Sequence, residues 1–348
     1  WLSLFVFAIL PFISFIWLVK RHNLWFYRKD YLKKKIEINE QELRAIQYDF
    51  SDFDSGNEYI DPAHLYTYDL DVFGDYSLFQ YINRTSTPVG KQHLADWFNA
   101  HLELKESIEQ RQEAIRELST DLEYRQQIRL FGLLYKGKPA DINEIREWAG
   151  SPSYYRKHTL LRIIPTVVSI INLICIGSAI VGILPATVPG GVFFCFVIFS
   201  SIFSKGITKL QATYGKKLQI LSTYADQILL TEKKEMNSPV LQQLKTELTS
   251  QNQTASQAVR QLSKLMNALD QRSNLLMSTI LNGLIFWELR QVMRIEKWKE
   301  THASDLPRWI ETIGEIDAYC SLATFTYNHP DYIFPKISSQ SFHLRAEA

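Results

Sequence analysis

The sequence has few cysteines, three in 348 residues, and they follow no recognisable pattern. Cys175 and Cys195 lie in strongly apolar runs, and Cys320 lies in an amphipathic segment. Their spacing matches neither a zinc site nor a disulfide framework. We therefore expect three packing residues in a reducing compartment, with no metal centre and no secreted, disulfide-stabilised domain.

An excess of charge of one sign is also missing. The chain has 38 Lys and Arg against 37 Asp and Glu, which gives a formal net charge of +1. This balance gives no global reason to expect a nucleic acid or an acidic partner, so any electrostatic function must come from local patches. The hydrophobic content of 46% excludes a disordered chain and requires a buried core, and the length allows two or more units.

The motifs of common catalytic sites are absent. A phosphate-binding loop needs Gly-x4-Gly-Lys followed by Ser or Thr, and the nearest match, 215–217, lacks both the first glycine and the hydroxyl residue. No zinc-protease, nucleophile-elbow or dinucleotide-binding pattern occurs. His93 and His101 flank one helix but have no third ligand in view. We predict no catalytic, cofactor-binding or metal-binding residue in this chain, and no enzyme activity of its own.

Long uncharged runs are present. Leu2 to Val19 has no charge and ends at Lys20-Arg21-His22, and its length suffices to cross a bilayer core of roughly 30 Å. The basic segment follows the run, whereas in a signal peptide it precedes the run. We predict a transmembrane anchor and, because the chain begins at Trp1, expect further residues upstream.

Two more runs, Ile163 to Leu184 and Val188 to Phe203, are joined by the uncharged turn Pro185-Ala186-Thr187. They predict a transmembrane hairpin, although the second run is short for a full span. The alternative is a pair of buried helices in a soluble core.

Basic residues flank all three runs. Those nearest the hairpin are Arg156, Lys157, Arg162, Lys205 and Lys209. A basic cluster follows the first run and consists of Lys20, Arg21, Arg28, Lys29, Lys33, Lys34 and Lys35. The positive-inside tendency predicts that every soluble segment faces the cytoplasm. We expect the membrane to be a bacterial-type inner membrane. The cluster is expected at anionic head groups, at about 1 kcal/mol per residue, with nucleic-acid binding or a solvated helix face as alternatives.

Outside these runs the periodicity is helical, strand patterns are nearly absent, and we predict an all-α fold. Helices are expected over Lys20 to Tyr48, Leu104 to Leu118, Asp121 to Tyr135 and Ile313 to Tyr327, with one helix capped by Asp141. A further stripe of apolar residues at helical spacing is predicted to be core. Its members are Leu262, Leu265, Met266, Leu269, Leu276, Ile280, Leu284 and Trp287.

The segment from Leu78 to Phe98 contains a well-defined helix start. Thr87 supplies an N-cap oxygen and Pro88 a fixed φ at the first helical position, so a helix is predicted from there to about Asn99. Leu94, Trp97 and Phe98 give that helix an apolar stripe.

This segment resembles the core fingerprint of the MutS family of DNA mismatch-repair ATPases. The residues that carry the resemblance are Asn83, Arg84, Thr85, Thr87, Pro88, Gly90 and Trp97. Residues 108–115 and 315–323 also resemble MutS core sequences, and the resemblance covers roughly 76–148 and 240–335. From the residues themselves we interpret the fingerprint as structural, stabilising the helix entry without touching a ligand. As an alternative, Arg84 pairs with a carboxylate across the core.

The resemblance implies a helical core and levers, with ATP and Mg²⁺ bound in a domain expected beyond Ala348. It also implies a homodimer formed through that domain, and DNA as a partner. The expected organisation is an anchor and basic helix (1–50), a linker (51–75), a first core part (76–150), levers with the hairpin (151–237, spans at about 163–203), a second core part (238–335) and an approach to the ATPase domain (336–348).

Two departures from the family pattern modify this expectation. Before Tyr76 the chain has neither the Phe-x-Glu motif nor room for a mismatch-recognition domain, and the hairpin falls where levers and a DNA clamp would be. We hypothesise that membrane spans replace the clamp, and we doubt mismatch recognition. The alternative is a membrane-bound helical scaffold or signalling protein without DNA binding. A transporter or channel is disfavoured because the runs carry no ionisable residue.

Overall fold

A computed structural model of the chain describes residues 2–134, 139–218, 220–249, 254–270 and 274–338. The described parts are helical and contain no β-strand, only an isolated bridge between Thr249 and Thr254. The helices are α1 (Leu2–Ile46), α2 (Leu78–Ile82), α3 (Pro88–Asn99), α4 (Lys105–Ser119), α5 (Leu122–Leu134), α6 (Pro139–Gly150), α7 (Thr159–Ile180), α8 (Thr187–Leu218), α9 (Ile220–Lys233), α10 (Pro239–Glu247), α11 (Ala255–Asp270), α12 (Leu275–Ile285), α13 (Trp287–His302) and α14 (Leu306–Asn328), with a 3₁₀ turn at Asn57–Tyr59. The predicted all-α fold is confirmed.

The chain forms two compact units. The first consists of residues 1–136 and 317–348, and the second of residues 137–316. The helix α14 begins in the second unit and ends in the first.

The core of the first unit surrounds the ring of Phe79 on α2. Its buried members are Val72, Phe73, Phe79, Leu94, Ala95 and Ala318, and Tyr59, Trp97, Phe98 and Leu322 pack against them. The stretch predicted as a linker, 51–75, has no α-helix, yet Phe53, Val72 and Phe73 in it are buried. These aromatic and branched side chains make the stretch part of the packed unit.

Helices α9, α11 and α13 pack together in the second unit. Trp298 on α13 donates its indole N–H to the carbonyl of Ala258 on α11 at 2.7 Å and stacks on Trp148 of α6, with 6.4 Å between ring centroids. Of the predicted core stripe, Leu262, Met266 and Leu269 on α11 are buried.

Leu265, Leu284 and Trp287 of the stripe are half-buried, and for Leu276 and Ile280 the prediction is wrong. Leu276 is 77% exposed and Ile280 is 47% exposed. The spacing suggested one continuous stripe, but α11 ends at Asp270 and α12 begins at Leu275. The two helices therefore present their apolar residues to different surroundings.

Two predicted helix starts need correction. α6 begins at Pro139, ahead of the predicted cap at Asp141, because proline fits the first helical turn without losing a hydrogen bond. The last helix begins at Leu306 and not at Ile313. Its added first turns bury Leu306 and Trp309, which favours continuing the helix there.

The predicted hairpin is present as two helices, α7 and α8. Thr159–Ile180 and Thr187–Ser204 are long and apolar enough to cross a membrane, with mean hydropathies of 2.2 and 1.8. Only 17% and 0% of these windows are buried, so the alternative of two buried core helices is wrong. α7 ends at Ile180, four residues before the predicted end at Leu184. Gly182, two residues after the helix end, adopts φ 84°, a left-handed conformation that glycine tolerates.

The first apolar run lies at the start of α1, which continues without a break to Ile46. The predicted helix from Lys20 to Tyr48 is therefore confirmed to within two residues. The side chains of residues 1–10 lie outside the described part, and the role of this run as a membrane anchor stays a prediction.

Candidate functional site at the turn before α3

The turn between α2 and α3 is shaped by the side chain of Asn83. Its Oδ1 accepts hydrogen bonds from the backbone N–H of Thr85 at 3.0 Å and from the Thr85 hydroxyl at 2.6 Å. Its Nδ2 donates to the carbonyl of Asp54 at 3.1 Å. Asparagine suits such turns because its short amide can replace a backbone partner two residues on.

The start of α3 agrees with the prediction. Thr87 has extended backbone angles, and its Oγ1 accepts from the N–H of Gly90 at 3.0 Å. Pro88 occupies the first helical position, and the helix runs to Asn99. This side-chain N-cap satisfies one of the backbone N–H groups that have no partner within the first turn of the helix.

A buried carboxylate on α14 faces this helix start. Asp317 accepts from the N–H and Oγ of Ser86 at 2.9 and 3.1 Å, and from the N–H and Oγ1 of Thr87, both at 2.8 Å. Burial raises the pKa of Asp317 to about 6, while the four donors act in the opposite direction. The carboxylate thus fastens α14 to the turn.

Gly90 is the residue that allows Asp317 to come so close. A Cβ at position 90 would lie 2.5 Å from Asp317 Oδ2 and 2.8 Å from Asp317 Cβ. Gly132 on α5 plays the same role for the side chain of Ser86, which would overlap a Cβ there. The fingerprint glycine is therefore required by packing and not by its backbone angles.

One helical turn beyond Asp317, Ser321 makes a second attachment. Its hydroxyl donates to the carbonyl of Ile82 at 2.8 Å and accepts from the N–H of Arg84 at 2.7 Å. Residues four apart lie on one face of a helix, so Asp317 and Ser321 meet the turn together. Trp97 adds an apolar contact to the same helix, with its ring 4.7 Å from that of Tyr319.

Arg84 pairs with a carboxylate other than Asp317. Its Nε donates to Glu42 Oε1 on α1 at 2.7 Å, and its Nη1 donates to the carbonyls of Tyr81 and Asn83 at 2.9 and 3.2 Å. Its guanidinium carbon lies 3.6 Å from the centre of the Phe53 ring. The carboxylate partner that the sequence left open as an alternative is Glu42.

Glu42 collects three partners. Besides Arg84 it forms an ion pair with Arg129 of α5 and accepts from Asn328 Nδ2 of α14 at 2.8 Å. Burial alone would raise the pKa of Glu42, but the two arginines and the hydrogen bonds hold it below its ordinary value. Burial also lowers the pKa of Arg84 to about 10, which leaves it charged at neutral pH.

The chemistry that this arrangement supports is binding within the protein. The side chains of Asn83, Arg84, Thr87 and Trp97 each contact another part of the first unit. No group of three or more His, Cys, Asp or Glu that could hold a metal occurs among the described residues. These contacts fit the interpretation of the fingerprint as structural.

The family model of MutS domain III matches residues 65–323, about three-quarters of the chain. The chain belongs to the MutS family. No curated protein and no solved structure matches it. The MutS domain III match includes the fingerprint turn, the hairpin α7–α8 and the part of α14 that carries Asp317 and Ser321.

Sequence reasoning assigned no role to Asp317 and Ser321 of the MutS domain, or to Glu42, which precedes the matched residues. Asp317 could have been suspected, because an acidic residue among apolar ones on a core helix needs a partner. Glu42 could not have been recognised from the sequence. It lies in a segment rich in exposed charged residues, where a glutamate is expected to be solvated.

The basic cluster lies along α1, away from the fingerprint. Five members are exposed: Lys20, Arg21, Arg28, Lys29 and Lys33. Lys34 pairs with Glu37 at 2.7 Å, and Lys35 pairs with Glu123 of α5 at 2.8 Å. The cluster therefore offers five exposed cations, three of which lie over aromatic rings of α1, and two lysines that are paired with carboxylates.

Proposed function

We propose that this chain is the helical core of a MutS-type protein that is held in a membrane by the hairpin α7–α8. The observation that supports this most strongly is the exposure of two apolar helices inside the region that matches MutS domain III. Large side chains such as Leu173 and Ile198 are 73% and 71% exposed. Moving each such side chain out of water is favourable by about 1.5–3 kcal/mol, and a bilayer provides that environment.

Flanking charge supports an orientation for the hairpin. Arg156, Lys157 and Arg162 precede or begin α7, and Lys205 and Lys209 follow the apolar part of α8. By the positive-inside tendency both ends of the hairpin would lie in the cytoplasm, together with the two units. The exposed cations of the basic cluster would then meet anionic head groups.

The nucleotide chemistry would belong to a different domain. MutS-type proteins are ATPases, so we propose that ATP and Mg²⁺ act on a domain outside this chain, through which the protein also dimerises. During that cycle the fingerprint would keep α1, α3 and α14 in fixed relative positions. Asp317 on α14 binds Thr87 at the start of α3, and Glu42 on α1 binds Arg84 and Asn328 of α14. DNA is the partner that the family suggests.

Extraction of membranes tests the central proposal. Cells expressing the chain are fractionated, and the membranes are washed with alkaline carbonate, which releases peripheral proteins. The variant pair Leu173→Arg with Ile198→Arg places two arginines in the hairpin, each costing about 2.5–3.5 kcal/mol at the bilayer centre. A matched pair, Leu65→Arg with Leu104→Arg, changes two residues that are 91% and 66% exposed in the first unit.

Because the run 2–19 is itself predicted to be an anchor, a second set of the three chains also carries Phe7→Arg and Ile13→Arg, which place two charges in that run. In this second set the chain with the native hairpin and the matched pair are expected to stay in the washed membranes, while the hairpin pair is released. Complete release of the wild-type chain would refute the membrane proposal.

For DNA, the detergent-solubilised chain is offered matched and mismatched duplexes. We expect the chain to bind both duplexes equally. Tighter retention of the mismatched duplex would show that the protein recognises mismatches and would refute this expectation.

A further inference from the structure

The short helix α12 has an unusual distribution of exposed residues. Its sequence is LLMSTILNGLI, and its first turns expose large apolar side chains. Leu275 is 80% exposed, Leu276 77%, Met277 46% and Ile280 47%. A surface helix in water normally presents polar residues, so this exposure requires an explanation.

The other end of α12 packs tightly against the hairpin. A Cβ on Gly283 would overlap the ring of Phe193 and lie 2.8 Å from a methyl of Val197, both on α8. Small residues at such positions allow two helices to approach closely, as they do between helices in membranes. Both residues lie in the part of α8 that is apolar enough to cross a membrane, so α12 contacts the hairpin well inside that span.

The carbonyls at the end of α12 are satisfied by a polar side chain from the hairpin. Asn172 on α7 is 4% exposed and donates to the carbonyls of Gly283 at 2.9 Å and Leu284 at 3.0 Å. The last carbonyls of a helix lack partners within it. An unsatisfied carbonyl in an apolar environment costs several kcal/mol, so the hydrogen bonds from Asn172 allow this helix end to lie against the apolar hairpin.

The break that follows α12 is covered by aromatic rings. Phe286 has left-handed backbone angles (φ 51°, ψ 50°) and is 1% exposed. Its ring lies 5.8 Å from that of Phe199, 6.2 Å from Phe196 and 6.4 Å from Phe203, all on α8. Non-helical backbone at the depth of a membrane is tolerated only where protein covers it.

Polar side chains beside this break turn inward and are paired. Glu288 accepts from Ser278 Oγ at 2.9 Å and Asn282 Nδ2 at 2.8 Å. Arg290 donates to the carbonyl of Pro165 at 2.8 Å and to Ser169 Oγ at 2.7 Å, both on α7. The polar groups thus face protein while the exposed side chains are apolar, which is the arrangement expected of a segment in lipid.

We propose that α12 is inserted in the membrane beside α7 and α8, with lipid acyl chains as the partner of its exposed apolar residues. The inference rests on the proposed membrane hairpin, because lipid reaches α12 only where it also surrounds α7 and α8. With 11 residues the helix is about 16 Å long, roughly half of a bilayer core, so it enters the membrane without crossing it.

Fluorescence quenching of the reconstituted chain tests this insertion. The three native cysteines are replaced (Cys175→Ala, Cys195→Ala, Cys320→Ala), and one new cysteine carries a small fluorophore. Leu276→Cys reports on α12, Leu173→Cys on the hairpin and Leu104→Cys on water. Quenchers are nitroxides on lipid acyl chains and iodide in the buffer, with vesicles of phosphatidylethanolamine and phosphatidylglycerol.

The label at position 276 is expected to follow the label at 173, quenched by the lipid nitroxide and protected from iodide. If position 276 behaves like position 104 while 173 stays in lipid, the insertion of α12 is refuted and the membrane hairpin stands. If both behave like position 104, the hairpin proposal itself fails.

A measurement on the unmodified chain guards against a cysteine background that does not fold. In vesicles treated with a water-soluble oxidant, Met277 on α12 is expected to oxidise more slowly than Met293, although Met277 is exposed and Met293 is half-buried in the protein. Faster oxidation of Met277 in vesicles would overturn the inference.

Discussion

The Asp317 carboxylate accepts two hydrogen bonds from Thr87, one from its backbone N–H and one from its hydroxyl, both at 2.8 Å. Thr87 is the N-cap of α3, so the carboxylate binds the residue that starts the helix. Two of the stretches that resemble MutS cores, around 83–97 and 315–323, therefore meet at this pair. Their resemblance reflects one interlocked structure and not two independent motifs.

Asp317→Ala should strongly destabilise the first unit. The change leaves the buried donors of Ser86 and Thr87 without an acceptor, and the expected loss in the free energy of unfolding is about 3 kcal/mol. Urea unfolding in detergent, followed by circular dichroism, measures it. Asp317→Asn is the matched variant: its carbonyl can replace Oδ2 and its amide can donate to Ser86 Oγ, so it should lose much less. Equal losses for both variants would contradict the hydrogen-bond account.

The raised pKa of Asp317 predicts a specific pH dependence. Because the pKa is about 6 when folded and about 3.9 when unfolded, the folded state holds the proton more tightly between these values. The free energy of unfolding contributed by this group is therefore full below about pH 4 and decreases as the pH rises to about 6.

Comparison with Asp317→Asn isolates this contribution from that of other carboxylates. The stability of wild type minus that of Asp317→Asn should decrease from pH 4 to pH 6 and then stay constant. Unfolding midpoints at a series of pH values measure the difference. An increase with pH would mean that the four donors outweigh burial and that the pKa is lowered.

Gly90→Ala should be costly although the site is helical. The new methyl would lie 2.5 Å from Asp317 Oδ2 and displace the carboxylate from Thr87, at a cost of about 2–3 kcal/mol. Gly150→Ala, at the end of α6, adds a methyl that meets no atom within 4 Å. It should be neutral or stabilising by up to about 1 kcal/mol. Thermal unfolding of the two variants gives the comparison, and similar midpoints would contradict the packing role of Gly90.

Arg84 and Glu42 should behave as a coupled pair. Arg84→Met leaves Glu42 with Arg129 and Asn328 only, and breaking one partner of a buried pair costs about 3–5 kcal/mol. Arg84→Lys should also lose stability, because one ammonium cannot reach Glu42 and the carbonyl of Tyr81 together.

A double-mutant cycle with Glu42→Met measures the coupling, which should be about 1 kcal/mol or more. Additive losses would show that the two side chains do not stabilise each other. The lowered pKa of Glu42 further implies that its contribution is present above the ordinary pKa and is lost as the pH falls.

The sequence predicted what local chemistry determines. The start of α3 was correct because a threonine cap and a following proline act within one turn, and α7 and α8 were found because hydropathy alone marks them. The contact of Asp317 with Thr87 joins residues 230 positions apart, which no local pattern encodes. The core prediction is wrong for Leu276 and Ile280 of α12 because they continue the spacing of the apolar residues of α11, although their surroundings differ.

Labelling of a native cysteine tests the central claim, that α7 and α8 lie in a membrane, most directly. Cys195 is exposed on the protein and lies within the apolar part of α8. Sealed vesicles of the wild-type chain are treated with a membrane-impermeant maleimide before and after addition of detergent, with Leu104→Cys as the accessible reference. Cys195 should react only after detergent is added, whereas reaction in intact vesicles at the rate of position 104 would contradict the account.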